Sequence, residues 1–390
     1  MSLLIVNPMD DFHCNYLMYK LKKRNISFTE LGPVHSNEYS FIDNKLIYNG
    51  KVIDIDNVRS IFIRSNMIFT PQLVNTPYID TYNEQMQFKS QIENLRSWLQ
   101  IMQLNGVRMI NPPADHSKYF QLYKLIHAGL PIPKTCITNS YKRLEEFIKS
   151  TDRIVYKPLV GGYYCREVNG DELLKMKSLN LEPVIFQEYI EGKDIRVYTL
   201  DGEILSAHEI QRESNKSTID YRTDPMFSKG KLNYKMIHLP SSIENVCLEA
   251  AKILGLEFSG IDLKLNNKGE FYLLECNSMP MYLDLELKNH IKITDYIINF
   301  LNANIVENFE PSFEEATHEQ MEINKKSLFD YKSVYEDFYK YKSEKQKIVI
   351  LPINREQKNT LKDHKINHDE EDYVILSING KNNAKIIDLQ

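Results

Sequence analysis

One predicted hairpin gathers oxygen atoms of the kind that bind divalent metal ions. Residues 259–277 read SGIDLKLNNKGEFYLLECN, in which two apolar-rich strands flank a polar turn. Alternation along the first strand puts Asp262 on the face opposite the apolar side chains. Folding about the turn brings Asp262 close to Glu275, with Asn277 on the same face as Glu275. Two carboxylates and an amide oxygen suit Mg²⁺ that carries nucleotide phosphates.

A solvated hairpin with an acidic outer face is the alternative interpretation of the same residues. Leu273 and Leu274 directly precede Glu275, which argues for a buried position. A carboxylate in such surroundings needs a charged or hydrogen-bonding partner, and a bound metal ion is one such partner.

A lysine at the end of a predicted strand is a candidate phosphate ligand. The segment RIVYKPLVGG places Lys157 after an apolar run and shortly before Gly161 and Gly162. A lysine there reaches phosphates, and glycines let backbone N–H groups approach them. An ordinary strand followed by a tight turn would give the same pattern.

Two further segments offer nucleotide contacts. The strand at 184–190 breaks at Gly192 and restarts, which is the pattern of a hinge whose backbone bonds a purine edge. Arg222, in Asp-Tyr-Arg after the strand at 204–210, has the chemistry to stabilise a transferring phosphoryl group. An ordinary strand–turn–strand and a surface arginine are the alternatives. His208 is either a base or a structural strand histidine.

The elements that position these residues alternate between strands and helices. In the helix predicted over 84–104, Phe88, Ile92, Leu95, Leu99 and Met102 form one buried stripe. A second helix over 118–128 closes at Gly129, and residues 194–274 are rich in strands around a helix at 242–254. The tail contains a polar helix at about 312–345, a strand at 348–352 and a hairpin of 373–378 with 384–389.

Composition restricts the class of protein. The chain has 390 residues, 42% hydrophobic and 26% charged, which is typical of a folded protein of two or three units. A net charge of -5 and the absence of a long basic run give no sign of nucleic acid binding. We expect no signal peptide and no membrane span. Five cysteines without C-x-x-C spacing predict neither disulfides nor zinc, so a reducing cytoplasm is expected.

The order of the four signals resembles that of ATP-grasp ligases, over roughly residues 105–301. The resemblance is strongest to the RimK-like branch, which includes ribosomal-protein glutamate ligases. Within that branch the chain is similar to the ligases that cross-link microviridin-type ribosomal peptides, the graspetides. The Asp-Tyr-Arg motif ending at Arg222 favours this peptide-modifying group.

The resemblance implies a role for each candidate residue. It implies ATP and Mg²⁺ as cofactors. The implied ATP-binding residues are Lys118 and Lys157 at the phosphates, Gln187, Glu188, Tyr189 and Ile190 at the adenine, and Asp194 at the ribose. The implied metal ligands are Asp262, Glu275 and Asn277. The implied catalytic residues are Arg196 and Arg222, which resemble the phosphate and acyl-phosphate arginines of the family.

The resemblance also implies an α+β ATP-grasp fold. We expect an N-terminal α/β pre-ATP-grasp domain over 1–110, a small lid subdomain over 111–190, and a Mg-ATP-binding subdomain over 191–305. A helix and hairpin extension over 306–390 has no counterpart in the family. It is expected to serve as a structural appendage, to pair subunits in a homodimer, or to hold a substrate chain. The segment after Gly161 is poorer in glycine than the usual phosphate lid of the family.

The expected reaction activates a carboxylate as an acyl phosphate and passes it to an amine or hydroxyl. A ribosomally made precursor peptide is the expected substrate, with ester or amide cross-links as products. Ligation of free amino acids or small metabolites is a second hypothesis. A nucleotide-binding interaction protein without turnover is a third, and the intact lysine and acidic residues weigh against it.

Overall fold

The computed structural model describes residues 2–6, 11–32, 37–42, 45–64, 81–114, 117–159, 164–170, 183–212, 219–224, 232–302, 346–352, 373–379 and 383–386. The chain divides into two units, residues 1–68 with 92–308 and residues 69–91 with 309–390. None of the helices in the described ranges is both long enough and apolar enough to cross a membrane.

The N-terminal part is a parallel sheet with helices. Its elements are β1 (Ser2–Val6), α1 (Phe12–Lys23), β2 (Phe28–Leu31), β3 (Tyr39–Ile42), β4 (Lys45–Tyr48), β5 (Lys51–Ile53), β6 (Val58–Ile63), α2 (Thr81–Leu104) and β7 (Arg108–Ile110). The parallel strands lie in the order β2-β1-β6-β7, and β3-β4-β5 form a separate antiparallel sheet. The predicted stripe on α2 is confirmed for Leu95, Leu99 and Met102, which are buried. The side chain of Phe88 lies outside the described residues.

A small antiparallel sheet follows. Its elements are α3 (Lys118–His127), β8 (Thr135–Thr138), α4 (Tyr141–Lys149), β9 (Ile154–Pro158), β10 (Arg166–Glu167) and β11 (Val184–Glu188). The strand order is β10-β9-β11-β8. Gly129 follows α3 with a φ of 74°, a conformation that favours glycine, and this confirms the predicted helix end. Gly161 and Gly162 lie outside the described residues.

A larger antiparallel sheet forms the centre of the 1–68 and 92–308 unit. Its elements are β12 (Gly192–Leu200), β13 (Glu203–Gln211), β14 (Asn233–Met236), α5 (Ser241–Leu254), β15 (Phe258–Asn266), β16 (Phe271–Asn277), α6 (Leu283–Asn289) and α7 (Ile293–Leu301). The strand order is β14-β13-β12-β15-β16. Helix α5 packs on the apolar face, where Val197, Ile261 and Leu273 are buried. The opposite face carries the polar side chains of the predicted site.

A β-bulge in β16 separates the two faces of the hairpin. Asp262 pairs with Glu275, but Leu263 pairs with Leu273, which leaves Leu274 as the extra residue. In a regular strand without a bulge, Leu273 and Glu275 are two residues apart and would share a face. The bulge lets Leu273 enter the core, where it is fully buried, while Glu275 stays beside Asp262 on the other face.

The predicted strand break at Gly192 is confirmed. Strand β11 ends at Glu188 and β12 begins at Gly192, which has a φ of 146° and pairs with Asn266. A Cβ at this position would collide with the carbonyl oxygen of Leu265. The backbone therefore passes from one sheet to the next at a position where only glycine fits.

The tail contributes a sheet of its own. Its strands are β17 (Gln346–Pro352), β18 (Tyr373–Asn379) and β19 (Asn383–Ile386), in the order β17-β18-β19 and all antiparallel. The predicted strand at 348–352 and hairpin are confirmed, although β19 begins one residue earlier than expected. A two-stranded hairpin on its own is only marginally stable in water. Here β17 pairs with β18, so the hairpin is part of a three-stranded sheet. The predicted polar helix lies outside the described residues.

Glu286 makes the stability of the fold depend on pH. This α6 residue is almost fully buried and its Oε2 accepts hydrogen bonds from the N–H and hydroxyl of Thr294, at 2.8 and 2.7 Å. Burial raises the pKa of Glu286 to about 7 from its usual 4.5, although Lys20 Nζ lies 3.9 Å from Oε1. The folded protein therefore binds this proton more tightly than the unfolded chain does.

We expect the free energy of unfolding to rise as the pH falls from about 8 to about 5, because protonation relieves the buried charge. The contribution of Glu286 is on the order of 3 kcal/mol, from the pKa difference at about 1.4 kcal/mol per unit. Urea unfolding across this pH range measures it, and Glu286→Gln should be more stable than the wild type at the upper end. A variant with the full wild-type slope would show that another group is responsible.

Candidate active site

Four polar side chains form one row across the large sheet. Arg196 on β12 pairs with His208 on β13 and with Asp262 on β15, which in turn pairs with Glu275 on β16. Directly paired residues of antiparallel strands share a face, so the row lies on the side opposite α5. Arg196 Nε donates to Asp262 Oδ1 at 2.8 Å. The predicted proximity of Asp262 and Glu275 is thus confirmed.

Asn277 lies beside this row. It pairs with Gly260, two residues before Asp262 on β15, and its Nδ2 donates to Asp262 Oδ2 at 3.1 Å. A Cβ at Gly260 would lie 2.9 Å from Arg196 Nη1 and would collide with Pro280. The absence of a side chain at Gly260 therefore allows Arg196 and the segment after Asn277 to approach each other.

Cationic side chains converge on Glu275 from other elements. Lys157, at the end of β9 in the small sheet, places its Nζ 3.8 Å from Glu275 Oε2. Burial alone would raise the pKa of Glu275, but the charges of Lys157, Lys118 and Arg222 hold it below its usual value. Lys118 begins α3, and burial lowers its pKa despite the attraction of Glu275. The small sheet, α3 and the large sheet thus bring together acids and lysines that are far apart in sequence.

The surroundings shift the pKa values of Asp262 and Glu275 in opposite directions. Burial raises the pKa of Asp262. The positive charge of Arg196 lowers this pKa in part, and the negative charge of Glu275 raises it further. Two close carboxylates cannot both be ionised at low cost unless cations are near. The pair therefore favours an additional positive charge between them.

Arg222 is held in a short 3-10 turn. Its guanidinium donates to both carboxylate oxygens of Asp220, at 2.9 and 2.6 Å, and Asp220 also accepts the N–H of Cys165 at 3.0 Å. The next residue in the same turn, Tyr221, accepts a hydrogen bond from Arg196 Nη2 at 3.1 Å. The turn thus places both predicted catalytic arginines near one another.

Asp194 lies in the next row of the sheet. Its carboxylate contacts Lys264 Nζ at 2.7 Å and forms an ion pair with Arg212. The predicted ribose-side acid is therefore held by two cations on the face that carries Arg196.

The predicted adenine segment spans the end of β11 and the connection to β12. The side chain of Gln187 is buried and donates to Thr135 Oγ1 at 3.0 Å, and Ile190 is also buried. Tyr189 donates its N–H to the carbonyl of Arg153 at 2.9 Å. A cavity of about 230 Å³ adjoins Glu188 and Tyr189, but its lining contains neither Lys157 nor the acidic pair. We therefore do not place the phosphates in that cavity.

Sequence reasoning missed several residues that support the site. Gln121 on α3 donates to the carbonyl of Cys276 and accepts its N–H, both at 2.8 Å, so it fixes the backbone between Glu275 and Asn277. Gln121 lies three residues after Lys118, on the buried side of an amphipathic helix. Because a buried amide needs hydrogen-bond partners, this position could have indicated a supporting role in the sequence. Asp220 belongs to the predicted Asp-Tyr-Arg motif, but its role in orienting Arg222 was not predicted.

The thiols and His208 show no sign of activation as nucleophiles or bases. Burial raises the pKa of Cys165 to about 11 and that of Cys276 well above its usual value, so both remain protonated at neutral pH. His208 is buried, its pKa falls to about 4, and its Nδ1 lies 3.4 Å from Asn289 Nδ2. The structural interpretation of His208 is therefore favoured.

The donor set fits a magnesium ion that shares its coordination with phosphates. Within the described ranges, no group of three or more His, Cys, Asp or Glu residues forms a complete metal cage. Mg²⁺ usually takes one or two carboxylates and completes its shell with waters and substrate phosphates. Asp262 and Glu275, with Asn277 beside them, supply such a partial set.

Comparisons with known proteins agree with this geometry. Residues 114–301 match the model of the RimK-like ATP-grasp domain. The tetrahydromethanopterin:alpha-L-glutamate ligase of Methanocaldococcus jannaschii is 27% identical over 211 residues, which cover 49% of this chain and 69% of that ligase. The D-alanine--D-alanine ligase of Aquifex aeolicus is 32% identical over 124 residues, 30% of this chain and 41% of that ligase. The chain thus spans less than half of the second relative.

A solved structure shares the fold over most of its length. The ATP-grasp ligase PsnB complexed with minimal precursor, Mg, and ADP has a TM-score of 0.65 and 23% identity, and the match covers 77% of this chain and 97% of PsnB. The predicted α+β ATP-grasp fold is confirmed. Residues 114–301 therefore form a RimK-like ATP-grasp domain, and the two named relatives that the chain matches are ligases.

Proposed function

We propose that this chain is a Mg-ATP-dependent ligase that cross-links a ribosomally made precursor peptide by ester or amide bonds. The observation that carries the proposal is the row from Arg196 through Asp262 to Glu275, faced by Lys157 from the other sheet. It offers acidic ligands for Mg²⁺ and cations for phosphates at one place. PsnB has also been solved with a precursor peptide, which supports a peptide as the substrate of this chain.

Charge neutralisation is the main task of the site in this reaction. A carboxylate is a poor acylating agent, and phosphoryl transfer from ATP converts it to an acyl phosphate with a better leaving group. Asp262, Glu275 and Asn277 would hold Mg²⁺, which neutralises phosphate charge when bound. Lys118, Lys157 and Arg222 would offset the rest.

The remaining residues would position the reactants. Gln187, Glu188, Tyr189 and Ile190 would bind adenine, and Asp194 would bind the ribose, in exchange for part of its present ion pairing. Arg196 would face the developing acyl phosphate, since it lies beside the acidic pair and is oriented by Tyr221. A hydroxyl or amine of the peptide then attacks the acyl carbon and phosphate leaves, so no enzyme nucleophile is required.

The direct test is an incubation of the purified protein with ATP, Mg²⁺ and a candidate precursor peptide rich in Thr or Ser and Asp or Glu near its end. We expect ADP and phosphate to form in step with loss of one water from the peptide per cross-link. Hydroxylamine should trap the acyl phosphate as a hydroxamate, as read by mass spectrometry. Formation of AMP, or ADP without any acyl product, would contradict the proposed reaction.

A second candidate function is ligation of a free amino acid such as glutamate. The relative that favours it is the 27% identical glutamate ligase. The same incubation separates the two, because addition of glutamate raises the mass of the acceptor, whereas an internal cross-link lowers it. Binding of ATP without turnover on any acceptor would instead support a nucleotide-binding protein.

A further inference from the structure

The segment from Ser278 to Tyr282, which joins β16 to α6, is held by side chains from distant parts of the chain. It directly follows Asn277, one of the proposed metal ligands. The contacts are Asn111 Nδ2 with the Ser278 carbonyl, Arg64 Nη1 with the Pro280 carbonyl at 3.0 Å, Tyr198 Oη with the Met281 carbonyl at 2.6 Å, and His13 Nε2 with the Tyr282 N–H at 3.2 Å. The backbone of this segment is therefore held at four of its five residues.

Arg64 is the residue that links this segment to the N-terminal sheet. It is 8% exposed, and its guanidinium lies among Asp11, Pro280 and His13. Nε donates to the carboxylate of Asp11 at 3.1 and 3.2 Å, Nη1 donates to Pro280, and Nη2 lies 3.1 Å from His13 Nδ1. A lysine, with a single ammonium at the end of a flexible chain, cannot make these contacts in the same geometry.

The ion pair between Asp11 and Arg64 lies at the topological switch point of the parallel sheet. The chain passes from β1 to β2 on one side of β1 and later returns as β6 on the other side, and Asp11 and Arg64 follow β1 and β6. In open α/β sheets the crevice at such carboxyl ends commonly binds ligands. Here Asp11 and Arg64 pair with each other and Arg64 donates to the Pro280 carbonyl, so these two residues join the parallel sheet to the segment from Ser278 to Tyr282.

We propose that Arg64 is a positioning residue for the active site, which fixes Pro280 and, through the backbone, the side chain of Asn277. This inference rests on the proposed function, because it assumes that Asp262 and Asn277 serve the metal. Asn277 contacts Asp262 at 3.1 Å, and Pro280 packs against Gly260, next to Arg196. A shift of Pro280 would therefore move both Asn277 and Arg196, which contact Asp262.

The test measures metal affinity apart from turnover. Mn²⁺, which is visible by electron paramagnetic resonance, is titrated into the full-length protein with ADP present. Since residues that orient metal ligands are typically worth about 10- to 100-fold in metal affinity, Arg64→Lys should weaken Mn²⁺ binding by about that factor. ADP affinity without metal should stay unchanged. Guanidinium ion added to Arg64→Ala should restore part of the Mn²⁺ affinity.

Arg108→Lys is the matched control. Arg108 lies on β7 of the same sheet and also donates from Nη1 to a backbone carbonyl, but this carbonyl is that of Phe300 on α7, at 2.7 Å, and not one of the 278–282 segment. Its replacement should leave Mn²⁺ affinity at the wild-type value. Asp11→Asn provides a milder variant that folds if Arg64→Lys does not, because asparagine can still cap α1 while it removes the charge that holds Arg64.

Each outcome decides the inference. Weaker Mn²⁺ binding in Arg64→Lys or Asp11→Asn, with Arg108→Lys unchanged, supports it. Wild-type Mn²⁺ affinity in folded variants whose thermal stability has fallen would overturn it and leave Arg64 a purely structural residue. Failure of the wild-type protein to bind Mn²⁺ with ADP would overturn the proposed function and this inference together.

Discussion

Glu275→Gln is expected to abolish ATP turnover while the fold remains intact. The change keeps the shape of the side chain but removes the charge that faces Lys157 at 3.8 Å and adjoins Asp262. Because nearby cations hold the pKa of Glu275 below its usual value, the carboxylate is ionised at neutral pH and available to a metal ion. We expect turnover to fall by more than about 100-fold, beyond the usual effect of an outer-shell residue.

Release of ADP in a coupled assay measures this effect, with circular dichroism to verify the fold. Glu270→Gln is the matched control, since Glu270 lies on the same hairpin, is exposed and contacts Asn266 at its turn. It should retain wild-type turnover. Near-normal ADP release by Glu275→Gln would remove Glu275 from the proposed metal site.

Arg222→Ala should lower the turnover number far more than it weakens ATP binding. The guanidinium is oriented by two hydrogen bonds to Asp220, yet 37% of its side chain is exposed, so a phosphoryl group can reach it. An arginine that contacts the transferred group contributes mainly in the transition state, where the loss is on the order of 10³-fold. Turnover and the dissociation constant of ATP, measured separately, distinguish this role from simple nucleotide binding.

Arg143→Ala is the control for loss of a surface arginine. Arg143 lies on α4 in the small sheet region, is 68% exposed and pairs only with its helix neighbour Glu146 among the ion pairs of the described residues. Its replacement should change neither quantity. If Arg222→Ala raised only the apparent KM for ATP, Arg222 would be a nucleotide-binding residue without a role in transfer.

Much of the fold could be predicted from the sequence, because turns, strands and helices depend largely on residues that are close together along the chain. The polar turn after Asn266 fixed the approximate register of its hairpin and hence the proximity of Asp262 and Glu275. Helical periodicity identified the buried side of α2. The bulge at Leu274 was not predictable, because alternation alone offers no reason for an extra residue within an apolar run.

The contacts that support the site join residues that are far apart in sequence, so no local sequence pattern predicts them. Gln121 bonds Cys276 across 155 residues, and Arg64 bonds Pro280 across 216. Neither pair has a spacing that marks it in the sequence. The roles of Arg196 and the other site residues in ATP binding and catalysis stay predictions, although the fold brings the acids, lysines and arginines of the site close together.

The bulge at Leu274 gives the hairpin an unequal tolerance to length changes. Residues gained or lost in the exposed turn after Asn266 change only the size of a loop. Loss of Leu274 would turn the bulge into a regular strand and leave Leu273 and Glu275 on their present faces, whereas loss of Cys276 would put Glu275 and Asn277 on opposite faces. Among homologous chains, length variation should therefore be found in the turn or at Leu274, while the spacing from Glu275 to Asn277 should remain constant.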